Sequence, residues 1–376
     1  MAGGKNLAVL YSDKVDERFH RESQAMMALN NDYKFTGYKT VNVYSIPVVP
    51  MGDYNRSGSN RYGVPRDLTR NIQSLTVTRD RSWTGIIDRG DKTQSMMVMD
   101  AGKALARQLR EVVVPEFDTY VFKTLAAEAT KRGNFSTETI TKSNAYERFL
   151  AGMEALGNKN VPDKGRVCFC SYKFANFLKQ DSAFMRYGDA SQEMLIKGVI
   201  GEVDGCKIVK VPASRLPAGA AFLLTHPVAA TAPKQLEDYK IHDNPPGISG
   251  WLLEGRVIYD CFVLNEKADA IYYHGSQPVM KPLNVTTAAS DTSKSTILVE
   301  PGAPEAGNSW KYQTAEADAD LDAVTYGTAI TTGNWTALTS NGLEITPTSG
   351  DTVVAVVEVD SADNPVGYGK AVLNIG

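Results

Sequence analysis

The sequence is poor in the features that announce chemistry. Of its 376 residues only four are histidine and four are cysteine. His20, His226, His242 and His274 stand far apart, in no zinc-type repeat. There is no P-loop, no G-x-G-x-x-G fingerprint and no G-x-S-x-G elbow, which excludes the familiar phosphate, dinucleotide and hydrolase signatures. Apolar runs such as "GAAFLL" fall well short of the ~20 residues that span a bilayer. The opening "MAGGKNLAVLYSDKVDERFH" lacks the apolar region of roughly 7–15 residues that a secretory signal needs. The expectation is folding in a reducing cytosol, with Cys168, Cys170, Cys206 and Cys261 kept as buried thiols.

Charge is scarce in one sense and unevenly spread in another. The net charge is −3, but residues 283–376 hold 12 acidic residues against three lysines and no arginine. The remaining 282 residues are therefore mildly basic, at +6. That excess is too diffuse for a sequence-specific nucleic-acid binder. After Met280 cysteine, methionine and arginine all disappear and Ser/Thr rises. Short β-type runs follow at regular spacing: "STILVEP", "NWTALTS", "LEITPTS", "DTVVAVVEVDS" and "GKAVLNIG". This punctuation predicts a small all-β sandwich of immunoglobulin-like architecture, without the cysteine pair of antibody domains.

What is present upstream reads as α+β. Residues 12–30 can form a charged helix whose apolar stripe (Val15, Phe19, Met26) is too thin to bury itself. "YKTVNVYSI" and "SLTVTRDRSWTG" alternate at period two around a polar, Gly-rich stretch, predicting a long hairpin. No sheet partner follows it in sequence, and an isolated hairpin is marginal in water. It is expected to rest on another subunit. From residue 92 to 114, Met97, Ala101, Ala104, Leu105, Leu109 and Val112 recur at helical spacing, and Pro115 is expected to break or restart the helix. "NAYERFLAGMEALG" predicts another helix, with Asn144 and Glu147 as a capping box. Beyond it "RVCFCSY" reads as a strand, "KFANFLKQ" as a short helix and "GAAFLLT" as a strand. "GVIGEVDGCKIVKV" predicts a hairpin turning at Asp204-Gly205, and "GRVIYDCFVLNEKADAIYYH" a second turning near Asn265-Glu266-Lys267.

Two local patterns invite functional readings. Glu316, Asp318, Asp320 and Asp322 alternate like the start of a calcium loop, but Ala323 and Ala329 stand where glycine and glutamate are required, so a solvated acidic loop is expected. Arg89-Gly90-Asp91 is the triplet that adhesion receptors read on exposed loops. Here it precedes the long helix, with Gln94 three residues after Asp91. The D-x-x-Q spacing predicts a helix cap at a hinge formed by Gly90, Asp91 and Gln94. No catalytic constellation, metal site or cofactor site emerges, and the chain is not expected to be an enzyme.

In order, the charged arm, the hairpin with its Gly-rich tip, "IIDRGDKTQSMMVMDAGKALARQLREVVVPEFDTYVF", "VIGEVDGCKIVKVP" and "DCFVLNEKADAIYYH" resemble the major capsid proteins of tailed bacteriophages, with the Hong Kong 97-type fold. The resemblance covers roughly residues 1–282. It implies an N-terminal arm (1–34), an extended loop (35–91), a peripheral domain containing the spine helix (92–156 and 254–282) and an axial domain (157–253), followed by the immunoglobulin-like domain (283–376). It implies hexamers and pentamers in an icosahedral shell, hence a place in the virion after assembly in the bacterial cytoplasm. The implied partners are other copies of the chain, a portal, a separate scaffold protein if one is used, and double-stranded DNA held by weak nonspecific contact. The outward-facing last domain would meet the host surface or glycans. The extended loop is net basic, with seven arginines against four aspartates over residues 52–90. Arg56, Arg61, Arg66, Arg79, Arg81 and Trp83 are therefore the candidate contacts between subunits. The alternative is a surface adhesin with an immunoglobulin-like module, which requires an export signal or anchor.

Overall fold

The computed structural model describes residues 23–30, 33, 39–46, 48–65, 67–68, 71–90, 101–181, 201–291, 293–330 and 333–375. In chain order the strands of the body are β1 (Thr40–Ser45), β2 (Asn71–Thr76), β3 (Arg79–Asp88), β4 (Phe135–Ser136), β5 (Val167–Ser171), β6 (Glu202–Val203), β7 (Cys206–Val211), β8 (Ala220–Thr225), β9 (Ala230–Thr231), β10 (Lys234–Asp243), β11 (Gly250–Tyr259), β12 (Phe262–Val263) and β13 (Ile271–Gly275). Its helices are α1 (Ala101–Gln108), α2 (Val114–Lys131), α3 (Ala145–Gly157) and α4 (Tyr172–Gln180). The expected helix over residues 12–30 lies mostly outside the described residues; its described end is a short 3-10 turn, Ala25–Ala28.

The spine is longer than its sequence pattern predicts. A π-helical turn, Leu109–Val113, joins α1 to α2, so Pro115 neither breaks nor restarts the helix. The Val114 N–H reaches back five residues to the Leu109 carbonyl, and this wider turn seats the proline ring at the start of α2. The whole run from residue 101 to 131 is about 45 Å long. Ala101, Leu105, Leu109, Val114, Phe117, Val121 and Leu125 are buried along one side, whereas Val112, expected in that stripe, is exposed.

The spine packs against a six-stranded sheet of order β4-β13-β8-β5-β7-β6. β5 pairs parallel with β7 and antiparallel with β8. Asp204 and Gly205 both have positive φ, the geometry of a two-residue hairpin, and they join β6 to β7 where the sequence expects it. Phe122 of the spine meets Phe169 of β5 with ring centroids 4.9 Å apart, and Phe174 of α4 meets Phe222 of β8 at 4.7 Å. All four cysteines are buried free thiols. Burial pushes the Cys206 thiol up to about 12, the main cause outweighing the nearby Arg166.

Two sequence expectations give way to long-range pairing. β1 and β2 do form an antiparallel hairpin, Thr40 opposite Thr76 and Ser45 opposite Asn71. The chain then leaves the hairpin: β3 pairs along ten residues with β11, in a three-stranded sheet of order β10-β11-β3. The hairpin arm is thus shorter than expected, and its continuation has a partner far along the same chain. Nor is there a hairpin turning at Asn265. β12 pairs with β9, residues Asn265–Ala270 form a 3-10 turn, and β13 joins the six-stranded sheet. The cause sits at Asp260, whose buried carboxylate binds Thr78, Tyr120 and its own neighbour Cys261, and so redirects the chain after β11.

The cap of α3 also differs. Asn144 occupies the position before the helix, but its side chain accepts from the Thr141 N–H and donates to the Thr139 carbonyl. The helix amide of Tyr146 is met by Asp181, 3.0 Å away, from the end of α4. Glu147 instead lies near Arg148. A carboxylate brought in from another element thus replaces the local box.

After Met280 the strands are β14 (Lys281–Pro282), β15 (Asn284–Asp291), β16 (Lys294–Glu300), β17 (Ser309–Ala315), β18 (Thr336–Leu338), β19 (Leu343–Ile345), β20 (Val353–Val359) and β21 (Pro365–Val372). They form sheets of order β14-β21-β20-β17-β18 and β15-β16-β19. Leu283, Val285, Ile297, Val299, Trp310, Val354 and Val356 fill the space between them as a separate core. The linker is itself structural, since Lys281 and Pro282 already belong to the larger sheet.

Candidate functional site

The surface most unlike an ordinary monomer's is the end of the β1–β2 hairpin. Ile46, Val48, Val49, Met51, Tyr54, Tyr62, Val64, Leu68 and Ile72 are all exposed, Met51 completely and Val48 at 92%. So many large apolar side chains held in water on one hairpin end mark an interaction surface. The polar Gly-rich reading of residues 50–66 missed it, because the apolar residues are dispersed singly among Gly, Ser, Asn and Arg. Tyr54 and Tyr62 stack edge-on at 5.0 Å, and the Asn55 amide donates to the Arg61 carbonyl, closing the tip on itself. Arg56 and Arg61 stand on this tip, where Arg61 Nε donates to the Gly58 carbonyl. Arg66 lies outside the described residues.

The root of the hairpin is fastened to its own chain. Gln73 behaves as an extra strand residue: its Nε2 donates to the Val263 carbonyl at 2.9 Å, and its Oε1 accepts from the Asn265 amide at 3.0 Å. Beneath it Leu75, Val77 and Leu264 form a small core joined by Tyr33, Val41, Val43, Ile258 and Phe262. One end of the arm is fixed and the other presents apolar side chains outward.

Arg79, Arg81 and Trp83 lie on β3 and meet groups of their own chain, Arg79 and Trp83 partly buried and Arg81 exposed at the edge. Glu116 of α2 receives Arg79 at 3.1 Å and Arg81 at 2.8 Å. The Arg79 guanidinium lies over the Tyr120 ring at 4.3 Å and near Tyr259 at 5.7 Å. Burial lowers its proton affinity, but Tyr259, Tyr120 and Glu116 outweigh that and the net shift is upward. Burial pushes the Tyr259 phenol up to about 12, and burial beside Asp260 takes the Tyr120 phenol well above its ordinary value. Asp260 closes the cluster, accepting from the Thr78 amide (2.9 Å), the Thr78 hydroxyl (2.8 Å) and the Tyr120 hydroxyl (2.7 Å). Trp83 covers Gly255 on β11, where a Cβ would fall 2.3 Å from the indole nitrogen. The two arginines thus hold β3 to the spine, and Trp83 holds it to β11.

At the joint after β3, Arg89 and Gly90 are already helical. The Gly90 amide donates to Asp88 Oδ1 at 2.6 Å, so Asp88 is the cap seen here, and a Cβ at Gly90 would crowd that carboxylate at 2.9 Å. Asp91 and Gln94 lie outside the described residues. Arg89 is held by its own chain, donating to Asn244 at 2.8 Å and lying over the Trp251 ring.

A second anchor carried no sequence signal. Asp118, wholly buried in α2, accepts from the Ser23 hydroxyl (2.6 Å), the Gln24 and Ala25 amides (3.2 Å each) and Arg215 (2.9 Å). It caps the 3-10 turn at 25–28 and ties that turn to the spine. In sequence it is simply one acid in an amphipathic helix. Two carboxylates of the acidic loop at 316–322 are met from elsewhere in the sandwich: Asp318 by Lys370 of β21, and Asp322 by Asn334. Among the described residues no group of three His, Cys, Asp or Glu is placed to hold a metal. No described helix is long and apolar enough to cross a membrane.

With a spine helix, a rooted hairpin and a six-stranded sheet, the chain has the α+β fold of tailed-phage capsid proteins of the Hong Kong 97 type. One similar structure is a chain of Mycobacterium phage Che8, 18% identical, covering 66% of this chain and 89% of that one with a TM-score of 0.55. A chain from the capsid of Cyanophage P-SCSP1u is 14% identical, covering 64% and 84% at 0.52. One from the mature capsid of bacteriophage PhiM1 is 11% identical, covering 65% and 84% at 0.51. No family model and no curated protein sequence matches.

Proposed function

We propose that this chain is the major capsid protein of a tailed bacteriophage, a structural subunit that assembles into hexamers and pentamers of an icosahedral shell around double-stranded DNA. The observation that carries the reading is the exposed apolar end of a hairpin whose root is fixed to its own body, on a fold shared with phage capsid chains. An apolar arm held out in this way is stable only when another copy covers it. In this reading residues 1–34 are the arm, 35–91 the extended loop, 92–156 with 254–282 the peripheral domain and 157–253 the axial domain. Residues 283–376 form an outward immunoglobulin-like domain whose acidity keeps particles apart. The role is mechanical and needs no cofactor. Of the basic loop residues, Arg56 and Arg61 are the contacts best placed to meet an acidic neighbour, since Arg79 and Arg81 already pair with Glu116.

The portal, any scaffold protein and DNA would act on this subunit from outside the contacts described above. The test is to purify the chain and follow it by gradient sedimentation and electron microscopy. Shells or capsomers are the expected result, and a stable monomer across salt, pH and concentration would overturn the reading. The adhesin reading gains nothing from Arg89, which is committed to Asn244 and Trp251.

A further inference from the structure

The β-sandwich does not hang from a loose tether. β14, which leads into it, is hydrogen-bonded within its larger sheet and packs on α2. Just before β14 the Val279 amide donates to the buried Thr130 hydroxyl at 3.1 Å. Across the seam, Glu305 of the sandwich receives two lysines at once: Lys131 from the last turn of α2 at 2.6 Å, and Lys281 from β14 at 2.9 Å. The loop carrying Glu305 is set by Glu358, an almost fully buried carboxylate that accepts from the Glu305 amide (2.9 Å) and Asn308 Nδ2 (2.8 Å). These groups line a cleft of about 330 Å3 between spine and sandwich, together with Thr124, Gln73 and Tyr326.

We infer that Glu305 is an electrostatic latch that fixes the sandwich in one orientation on the C-terminal end of the spine helix. Several features point this way. The carboxylate is the group that bridges spine and linker, and it lies where the helix end and its own lysine meet. Its loop is prearranged by Glu358, so Glu305 is presented to the lysines rather than searching for them. Around it stand Glu128 of α2, which holds Arg132, and Tyr326 from the sandwich. Burial raises the Glu305 proton affinity, but the bonds from Lys131 and Lys281 outweigh that, leaving the carboxyl below its usual value of 4.5. A group depressed in the docked state contributes fully above that usual value, and the contribution is lost as pH falls through the lower docked value. Because the pair is half exposed, salt also weakens it.

This inference rests on contacts within one chain and does not depend on the shell reading. The experiment is hydrogen exchange on the full-length protein at neutral pH, comparing wild type with Glu305→Gln and with Lys131→Gln/Lys281→Gln. Both variants should speed exchange of amides in 279–283 and 305–308 by about fivefold, while β16, β17 and β20 keep their protection. Wild type in 1 M salt should move the same way. Lys131 lies on α2 and Lys281 only in the two-residue strand that begins the larger sheet, so retained protection in β16, β17 and β20 separates undocking from unfolding. Unchanged exchange at the seam in both variants would overturn the latch. So would loss of protection throughout the sandwich, which would make Glu305 a folding residue.

Discussion

Two buried carboxylates, Asp118 and Asp260, do more for the architecture than any arginine that drew attention in the sequence. Each sits where three separated segments converge, and each has acceptor oxygens fully used. Replacing Asp118 with Ala strands Arg215 and two backbone amides, and is expected to cost about 3 kcal/mol. Urea unfolding measures this, and limited proteolysis should show new cleavage near Ser23 as the arm loses its anchor. Asp260→Ala is expected to cost about 2–3 kcal/mol by leaving Thr78 and Tyr120 without their acceptor. A loss below about 0.5 kcal/mol in either variant, within the range of ordinary surface changes, would show that the network is not the anchor described. Neither residue was legible in the sequence, because its meaning lies in partners from other segments, 93 to 182 positions away.

At the scale of elements, periodicity was a good guide wherever the structure is local. The spine stripe from Ala101 onward apart from Val112, α4, β5, β8 and the Asp204-Gly205 hairpin follow from spacing and turn residues, while Met97 lies outside the described residues. It failed where pairing is long-range. β3 reads as the second arm of a hairpin because it alternates like one, yet its partner β11 begins 162 residues after β3 ends. The signals were there in part: Gly255 opposite Trp83 is the small-against-large match that lets those two strands approach. The hairpin root is the element most open to test. Gln73→Ala removes both bonds to β12 and its following turn. Exchange of the amides in β2 should then quicken by about tenfold, with the six-stranded sheet unaffected. If β2 protection is unchanged, the hairpin is held by Leu75 and Val77 alone.

At the scale of the whole molecule, the described residues divide between cores that close on themselves and a hairpin end that does not. The body and sandwich each have a closed core. The hairpin end has none, and this contrast is what makes self-assembly the economical reading. Val48→Asp with Met51→Asp should leave the unfolding midpoint nearly unchanged, within about 0.5 kcal/mol, since both side chains are already in water. The same pair should abolish particles in sedimentation and electron microscopy. Arg56→Glu with Arg61→Glu should slow assembly and reduce its salt dependence if the receiving surface is acidic. Assembly undiminished by the apolar pair would remove the hairpin from the interface.

The π turn in the spine has a consequence for how this chain can vary in length. In a regular α-helix each residue advances the face by about 100°, so one extra residue rotates everything beyond it by that angle. Leu109 and Val114 are both buried although five positions separate them, and Val112 between them is turned out. The surplus residue is absorbed within a single turn, and the two halves of the spine keep a common phase. Deleting Glu111 would therefore restore strict α winding without turning one half of the spine against the other: Leu105 and Phe117 would then lie about 20° apart, still on the same side. A deletion within α1 or α2 has no such surplus to draw on and would rotate everything beyond it by about 100°.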